Sequence, residues 1–166
     1  RPCWYKGYKM LGKRHVLAVV HSKYPLWNAK GDSFEKKYPV LENKAPFWNM
    51  NNNHFEPREV YVVEAITPSE HPYSKKVLYV DTQFPRIHYG EAYNRKGEFW
   101  KFMEWHSYPG KAEDGFLDIR TAAGAVIDFQ RNHATVSLID TASWKTNPPN
   151  VKESDVSLQT LQAAGR

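Results

Sequence analysis

Cysteine is scarce in this sequence: Cys3 stands alone among 166 residues. One thiol can neither close an internal disulfide nor supply a thiolate metal cluster. Long apolar runs are also missing, and nothing approaches the roughly 18 residues that a membrane-spanning helix needs. No glycine-rich phosphate loop and no Gly-x-Ser-x-Gly nucleophile elbow occurs. The histidines, His15, His21, His54, His71, His88, His106 and His133, lack His-x-His and His-x-x-x-His spacing, so no metal site is expected. Glu64 and Asp81 lie on expected strands, yet nothing sets two carboxylates at a defined separation, and glycosidase chemistry is without support. No cofactor is implied. Blocks of one charge are absent too. The 23 Lys and Arg exceed 18 Asp and Glu to give +5, but no basic run of five occurs, which is the pattern of a solvated surface. An initiator methionine is missing as well, since the chain opens Arg1-Pro2-Cys3-Trp4. It is therefore expected to be what processing or truncation left, with no signal peptide of its own.

What the sequence does contain is apolar and aromatic: 41% hydrophobic and 14% aromatic residues, with eleven prolines and nine glycines. That balance favours short strands and loops over long helices. Between Arg58 and Trp105 four apolar runs are separated by turn chemistry. Val60 to Ile66, Val77 to Asp81, Arg86 to Tyr93 and Phe99 to Trp105 are rich in β-branched and aromatic residues, which predicts an antiparallel meander. Asn94-Arg95-Lys96-Gly97 predicts a type I turn closed by a glycine bulge. Counting back from that turn pairs Tyr93 with Phe99, Ala92 with Trp100, Glu91 with Lys101, Gly90 with Phe102, Tyr89 with Met103 and His88 with Glu104. Alternation then sets Gly90 and Ala92 beside Trp100 and Phe102 on one face. If Asp81 pairs with Arg86 across Thr82 to Pro85, Val77 and Tyr79 join them. The other face carries Ile87, Tyr89, Tyr93, Phe99, Met103 and Trp105. Both faces are apolar, so each is expected to be covered. Aromatics on both faces are unlike a nucleic-acid platform, which needs them with basic residues on one, and nucleic acid is not expected as a partner.

Around the meander, Tyr5 to His21 reads as two strand-like pieces divided at Gly12-Lys13, the second, Val16 to Val20, apolar enough for burial on both sides. Residues 22–57 hold four prolines, an asparagine-rich run and seven aromatics. They read as a long ordered excursion over one end of the sheet, with a short helical turn near Phe34 to Lys37. Phe116 to Arg120 and Ala125 to Phe129 read either as two strands or as a helical turn leading into a strand. Thr135 to Asp140 reads as a strand and Trp144 to Asn150 as coil. Ser154-Asp155 with Leu158 and Leu161 predicts a short capped C-terminal helix.

The succession REVYVVEA, HPYSKKVLYVDTQ, a strand, then YNRKGEFWK resembles the C-terminal part of a family of Gram-negative bacterial proteins, the domain of unknown function 1329. That family is grouped with the outer-membrane lipoprotein-sorting proteins typified by LolA and LolB. KMLGKRHVL near the start and SDVSLQTLQAAGR at the end also resemble it, so the likeness covers most of the chain. It departs at Thr82-Gln83-Phe84-Pro85, where relatives tend to carry an acidic, tryptophan-containing turn. The resemblance implies a periplasmic protein in which an antiparallel sheet curls into an unclosed barrel with an apolar concave face. It also implies that this chain is the C-terminal portion of a longer protein, and it supplies no catalytic residues.

The expected architecture is thus mainly β: an antiparallel curled open sheet or unclosed half-barrel of about seven to nine strands with one or two short helices, forming a single β-rich unit over residues 1–166. The expected activity is non-enzymatic binding or transport of a hydrophobic or lipid-like ligand in the periplasm, on a face formed by Val77, Tyr79, Gly90, Ala92, Trp100 and Phe102. An envelope or efflux-type transport protein is the candidate protein partner. Two alternatives stay open: a structural module docking a protein on the sheet edge or the apolar face, and an enzyme using the same cavity. The second would need a polar cluster such as His88, Glu104 and Tyr79.

Overall fold

The computed structural model of the chain describes residues 4–22, 41–42, 49–50, 54–139, 145–146 and 148–165. Among them, one seven-stranded sheet has the order β1-β4-β5-β6-β7-β8-β9, antiparallel throughout. Its strands are β1 (Gly7–Val19), β4 (Phe55–Ile66), β5 (Lys75–Asp81), β6 (Ile87–Tyr93), β7 (Phe99–Lys111), β8 (Leu117–Asp128) and β9 (His133–Leu138). Two short strands, β2 (Leu41–Glu42) and β3 (Asn49–Met50), pair with each other. A 3-10 turn at Glu153–Val156 precedes the helix α1 (Leu158–Ala164). The mainly β, unclosed architecture matches the expectation from the sequence. The anticipated helical turn near Phe34 to Lys37 lies outside the described residues.

Several elements differ in extent from the reading above. β1 is one strand, with a bulge at Leu11 followed by Gly12 at a φ of 135°. Its apolar end is not buried on both sides, because Leu17 is 59% exposed while Ala18 and Val19 are buried. β4 starts at Phe55, inside the supposed excursion, because β1 supplies a full-length partner. The ambiguous pieces after residue 115 are one strand, β8, carrying a bulge at Ala122. The cap of α1 is Ser157, whose side chain accepts the Thr160 amide at 3.2 Å, in place of Ser154-Asp155.

The hairpin turn forms as its residues dictate. The Gly97 amide donates to the Asn94 carbonyl at 2.9 Å, the Asn94 amide donates to the Glu98 carbonyl at 2.9 Å, and Gly97 takes φ 81°. Tyr93 pairs with Phe99 as expected, but Trp100 is then bulged, so Ala92 faces Lys101, Glu91 faces Phe102, Gly90 faces Met103 and Tyr89 faces Glu104. A second bulge at His88 shifts the β5 register in the same way: Tyr79 faces Tyr89 and Val77 faces Glu91. Each one-residue slip moves the following side chains to the other face. Val77, Tyr79 and Phe102 therefore share the face of Tyr89 and Glu91, whereas Gly90 and Ala92 lie on the opposite face. The expected Glu91–Lys101 and His88–Glu104 pairs do not form; Lys101 Nζ instead lies 3.3 Å from Asp128.

The long strands outrun β5 and β6 and curl toward one another. The Tyr89 hydroxyl donates to the Leu17 carbonyl, and the Ser22 amide reaches the Ser107 carbonyl at 2.9 Å. The face of Tyr89 is thus the inner one, and the β5–β6 turn sits at its closed end. On the outer face Trp105 lies across Gly90 and Gly124, where an added Cβ would meet its ring at 3.4 and 3.3 Å. Because Gly97 holds a left-handed conformation, Gly97→Ala should lower stability by about 1 kcal/mol in urea titration, and Gly97→Asn by less.

Candidate functional site

Asp81 ends β5 with its side chain wholly buried. Its Oδ2 accepts from Arg58 Nε at 2.9 Å and meets His88 Nε2 at 2.8 Å. Its Oδ1 accepts from Arg58 Nη2 at 3.1 Å and from the Gln83 and Phe84 amides at 2.8 and 3.2 Å. Burial raises the carboxyl pKa, but the Arg58 and His88 hydrogen bonds and the two amides outweigh it and hold the group well below the usual carboxylate range. With Asp81 ionised, His88 Nε2 must be the protonated ring nitrogen of that contact. The imidazole of His88, the extra residue of the β6 bulge, meets Asp81 on the inner face.

This cluster shapes the turn that follows. The Asp81 amide donates to the Arg86 carbonyl at 2.8 Å, as the pairing of Asp81 with Arg86 predicts, and the Thr82 amide donates to the Glu59 carbonyl at 3.1 Å. The Arg58 guanidinium stacks 4.5 Å from the centre of the Phe84 ring. Phe84, Pro85 and Arg86 are thereby held against the projecting end of the β7–β8 hairpin. Between them lies a trough of about 600 Å³, walled on the hairpin side by Pro109, Phe116, Leu117 and Ile119. Arg86 donates through Nη2 to the Ile119 carbonyl and also borders a neighbouring cavity of about 360 Å³ that includes Ile87 and Trp105. Phe116 and Leu117 are 57% and 73% exposed at the rim. Gly110 leaves room here for the paired Arg120 and Asp118 side chains, since a Cβ would meet Arg120 Nε and Asp118 Oδ1. Asp118, also at the trough, is bound by Arg120 Nε at 2.9 Å and by the Thr146 hydroxyl at 2.6 Å.

The six residues singled out from the sequence fall in three places. Val77, Tyr79 and Phe102 are on the inner face, where Phe102 stacks on Tyr89 at 5.5 Å. That face is more polar than alternation suggested: the Tyr79 and Tyr93 hydroxyls both donate to Glu91, at 2.7 and 2.5 Å. Burial and the Glu91 carboxylate push both phenols up to about 12. Gly90 and Ala92 are on the outer face, Gly90 under Trp105 and Met103. Trp100 stands apart, packed edge-on against Tyr73 at 5.3 Å and donating to Asp128 at 2.9 Å. The polar cluster of the enzyme alternative is not assembled, because His88 goes to Asp81, Tyr79 to Glu91, and Glu104 lies 3.7 Å from His106. None of the six lines the trough. Its walls come from the Thr82 to Pro85 turn, from a stretch read as loop up to Gly115, and from the Phe116 to Arg120 piece read as a strand or a helical turn; large apolar side chains next to turn signals, Phe84-Pro85 and Gly115-Phe116-Leu117, were the available clue.

The profile of a family described as a protein of unknown function, DUF1329, matches residues 1–162. No curated protein matches the chain. Among solved structures, a Vibrio parahaemolyticus domain named for outer membrane lipoprotein sorting is similar at 22% identity and a TM-score of 0.41, over 59% of this chain and 40% of that one. The chain thus spans less than half the length of that structure.

The depressed Asp81 pKa has a definite sign for stability. A carboxylate held below its unfolded value contributes fully above about pH 4 and loses that contribution progressively as pH falls further. Urea midpoints measured from pH 7 to pH 3 should therefore fall more steeply for the wild type than for Asp81→Asn. At pH 7 the variant should be less stable by about 3 kcal/mol, since Arg58 loses its buried partner.

Proposed function

This chain belongs to the DUF1329 family, matched over residues 1–162, and for this member we propose binding of a hydrophobic or lipid-like ligand in the trough between the β5–β6 turn and the β7–β8 hairpin. The trough itself carries the reading. Its volume of about 600 Å³ lies within the roughly 300–1,000 Å³ of small-molecule sites. Phe84, Pro85, Pro109, Phe116, Leu117 and Ile119 offer an alkyl chain apolar contact on both sides. Each buried methylene contributes about 0.8 kcal/mol, so a chain can be held without covalent chemistry. Binding and carriage in the cell envelope is the role that the lipoprotein-sorting resemblance implies, with a periplasmic setting and an envelope transport protein as the partner.

The inner face, with Val77, Tyr79 and Phe102, is a second candidate surface for such a ligand. Glu91, held between the Tyr79 and Tyr93 hydroxyls, makes it the costlier of the two, because an alkyl chain laid there would strip water from a carboxylate. Docking of a protein on the outer apolar surface remains the reading to which a failed ligand test would lead.

Delipidated protein should bind a neutral, environment-sensitive apolar dye with saturable 1:1 stoichiometry. Phe116→Asp combined with Leu117→Asp should weaken that binding by about tenfold or more, and should leave the thermal midpoint nearly unchanged because both side chains are largely exposed. Linear, non-saturating dye uptake would overturn the proposal.

A further inference from the structure

The charges around the trough narrow the ligand class. Three arginines come close to the closed end of the sheet. Arg58 and Arg120 each hold an aspartate, Asp81 and Asp118, with Nε–Oδ distances of 2.9 Å. Arg86 is different. Its guanidinium donates to the Ile119 main-chain carbonyl, and among the described residues no carboxylate forms an ion pair with it. Asp118 borders the same trough, but Arg120 and Thr146 take up its carboxylate. A half-buried cation with one of its five N–H groups on a carbonyl keeps donors for another acceptor. Its planar fork suits a carboxylate or phosphate better than a neutral hydroxyl. The low-dielectric walls of Phe84, Pro85 and Ile119 strengthen that attraction relative to bulk water.

We propose that the trough takes a single-chain anionic amphiphile, an alkyl carboxylate or phosphate monomer, with Arg86 receiving the acidic headgroup and the Phe84, Phe116 and Leu117 side holding the chain. The assignment rests on the trough reading above and adds the headgroup to it. The volume fits one chain, so a monomer is the occupant and a bilayer surface is not.

The test is displacement of the neutral dye from the full chain by dodecanoate, by dodecanol and by dodecyltrimethylammonium, with sedimentation on phosphatidylglycerol vesicles alongside. Dodecanoate should displace the dye at about tenfold lower concentration than dodecanol, as a charge-assisted hydrogen bond warrants, and the cationic amphiphile should be the weakest competitor. Arg86→Gln should bring dodecanoate and dodecanol close to parity, whereas Arg86→Lys, which keeps the charge without the fork, should retain part of the preference. Circular dichroism checks that both variants fold, and should Arg86→Gln fail to do so, the wild-type ratio and Arg86→Lys still decide. Equal competition by dodecanoate and dodecanol in the wild type would overturn the headgroup assignment and leave the trough reading standing. Sedimentation with anionic vesicles and no displacement by monomeric dodecanoate would overturn the choice of a monomer. A protein that binds no dye would overturn both readings together.

Discussion

Taking the Asp81 carboxylate out of water costs several kcal/mol unless donors replace the lost hydration. β4, β6 and the β5–β6 turn supply them: Arg58, His88 and the amides of Gln83 and Phe84. The requirement ties three separate pieces of chain to one atom pair. It holds the imidazole of His88, the bulged residue of β6, on the inner side. It also explains why a turn containing Phe84 and Pro85 holds one conformation, with Arg58 stacked on the aromatic ring. The trough depends on that conformation, because one of its walls is this turn.

The bulges are the second constraint. Those at His88, Trp100 and Ala122 each add one residue to one strand of a pair. Such insertions increase local twist and bend the strand, which suits a sheet whose long strands β1 and β7 approach each other at one end while its other edge stays unclosed. They also redistribute chemistry. Glu91 arrives among tyrosines on the inner face, and Gly90 arrives under Trp105 on the outer one. The inner face becomes a hydrogen-bonded aromatic layer, and an apolar trough lies instead at the projecting hairpin, where Pro109 and Ile119 are paired with each other and not with β6.

Charge distribution separates the two arginines that hold aspartates, Arg58 and Arg120, from Arg86 beside the trough. Arg58 and Arg120 are committed to carboxylates within the fold, which lowers the cost of burying them. Arg86, between two cavities and bonded to a carbonyl, carries a charge whose compensation must come from solvent or from a bound anion. That contrast arises only because the β5–β6 turn and the β7–β8 hairpin, more than twenty residues apart in sequence, are brought together.

Local chemistry determined much of this molecule. Alternating β-branched and aromatic runs specified the strands of the meander, Asn94 and Gly97 specified a turn that forms as their side chains and dihedral preferences require, and the motifs spread along the chain placed it in its family. These are properties of short segments, decided by sterics and hydrogen bonds within a few residues. Register beyond the first bulge was not legible, because an inserted residue leaves no periodic mark when both faces of a strand are apolar; hence Val77, Tyr79 and Phe102 were grouped with Gly90 and Ala92 although the sheet parts them. The trough and the Asp81 cluster belong wholly to the tertiary structure. Phe84, Arg86, Phe116 and Ile119 are unremarkable as neighbours in sequence, and they become a site only where a turn held by a buried carboxylate meets the free end of a long hairpin.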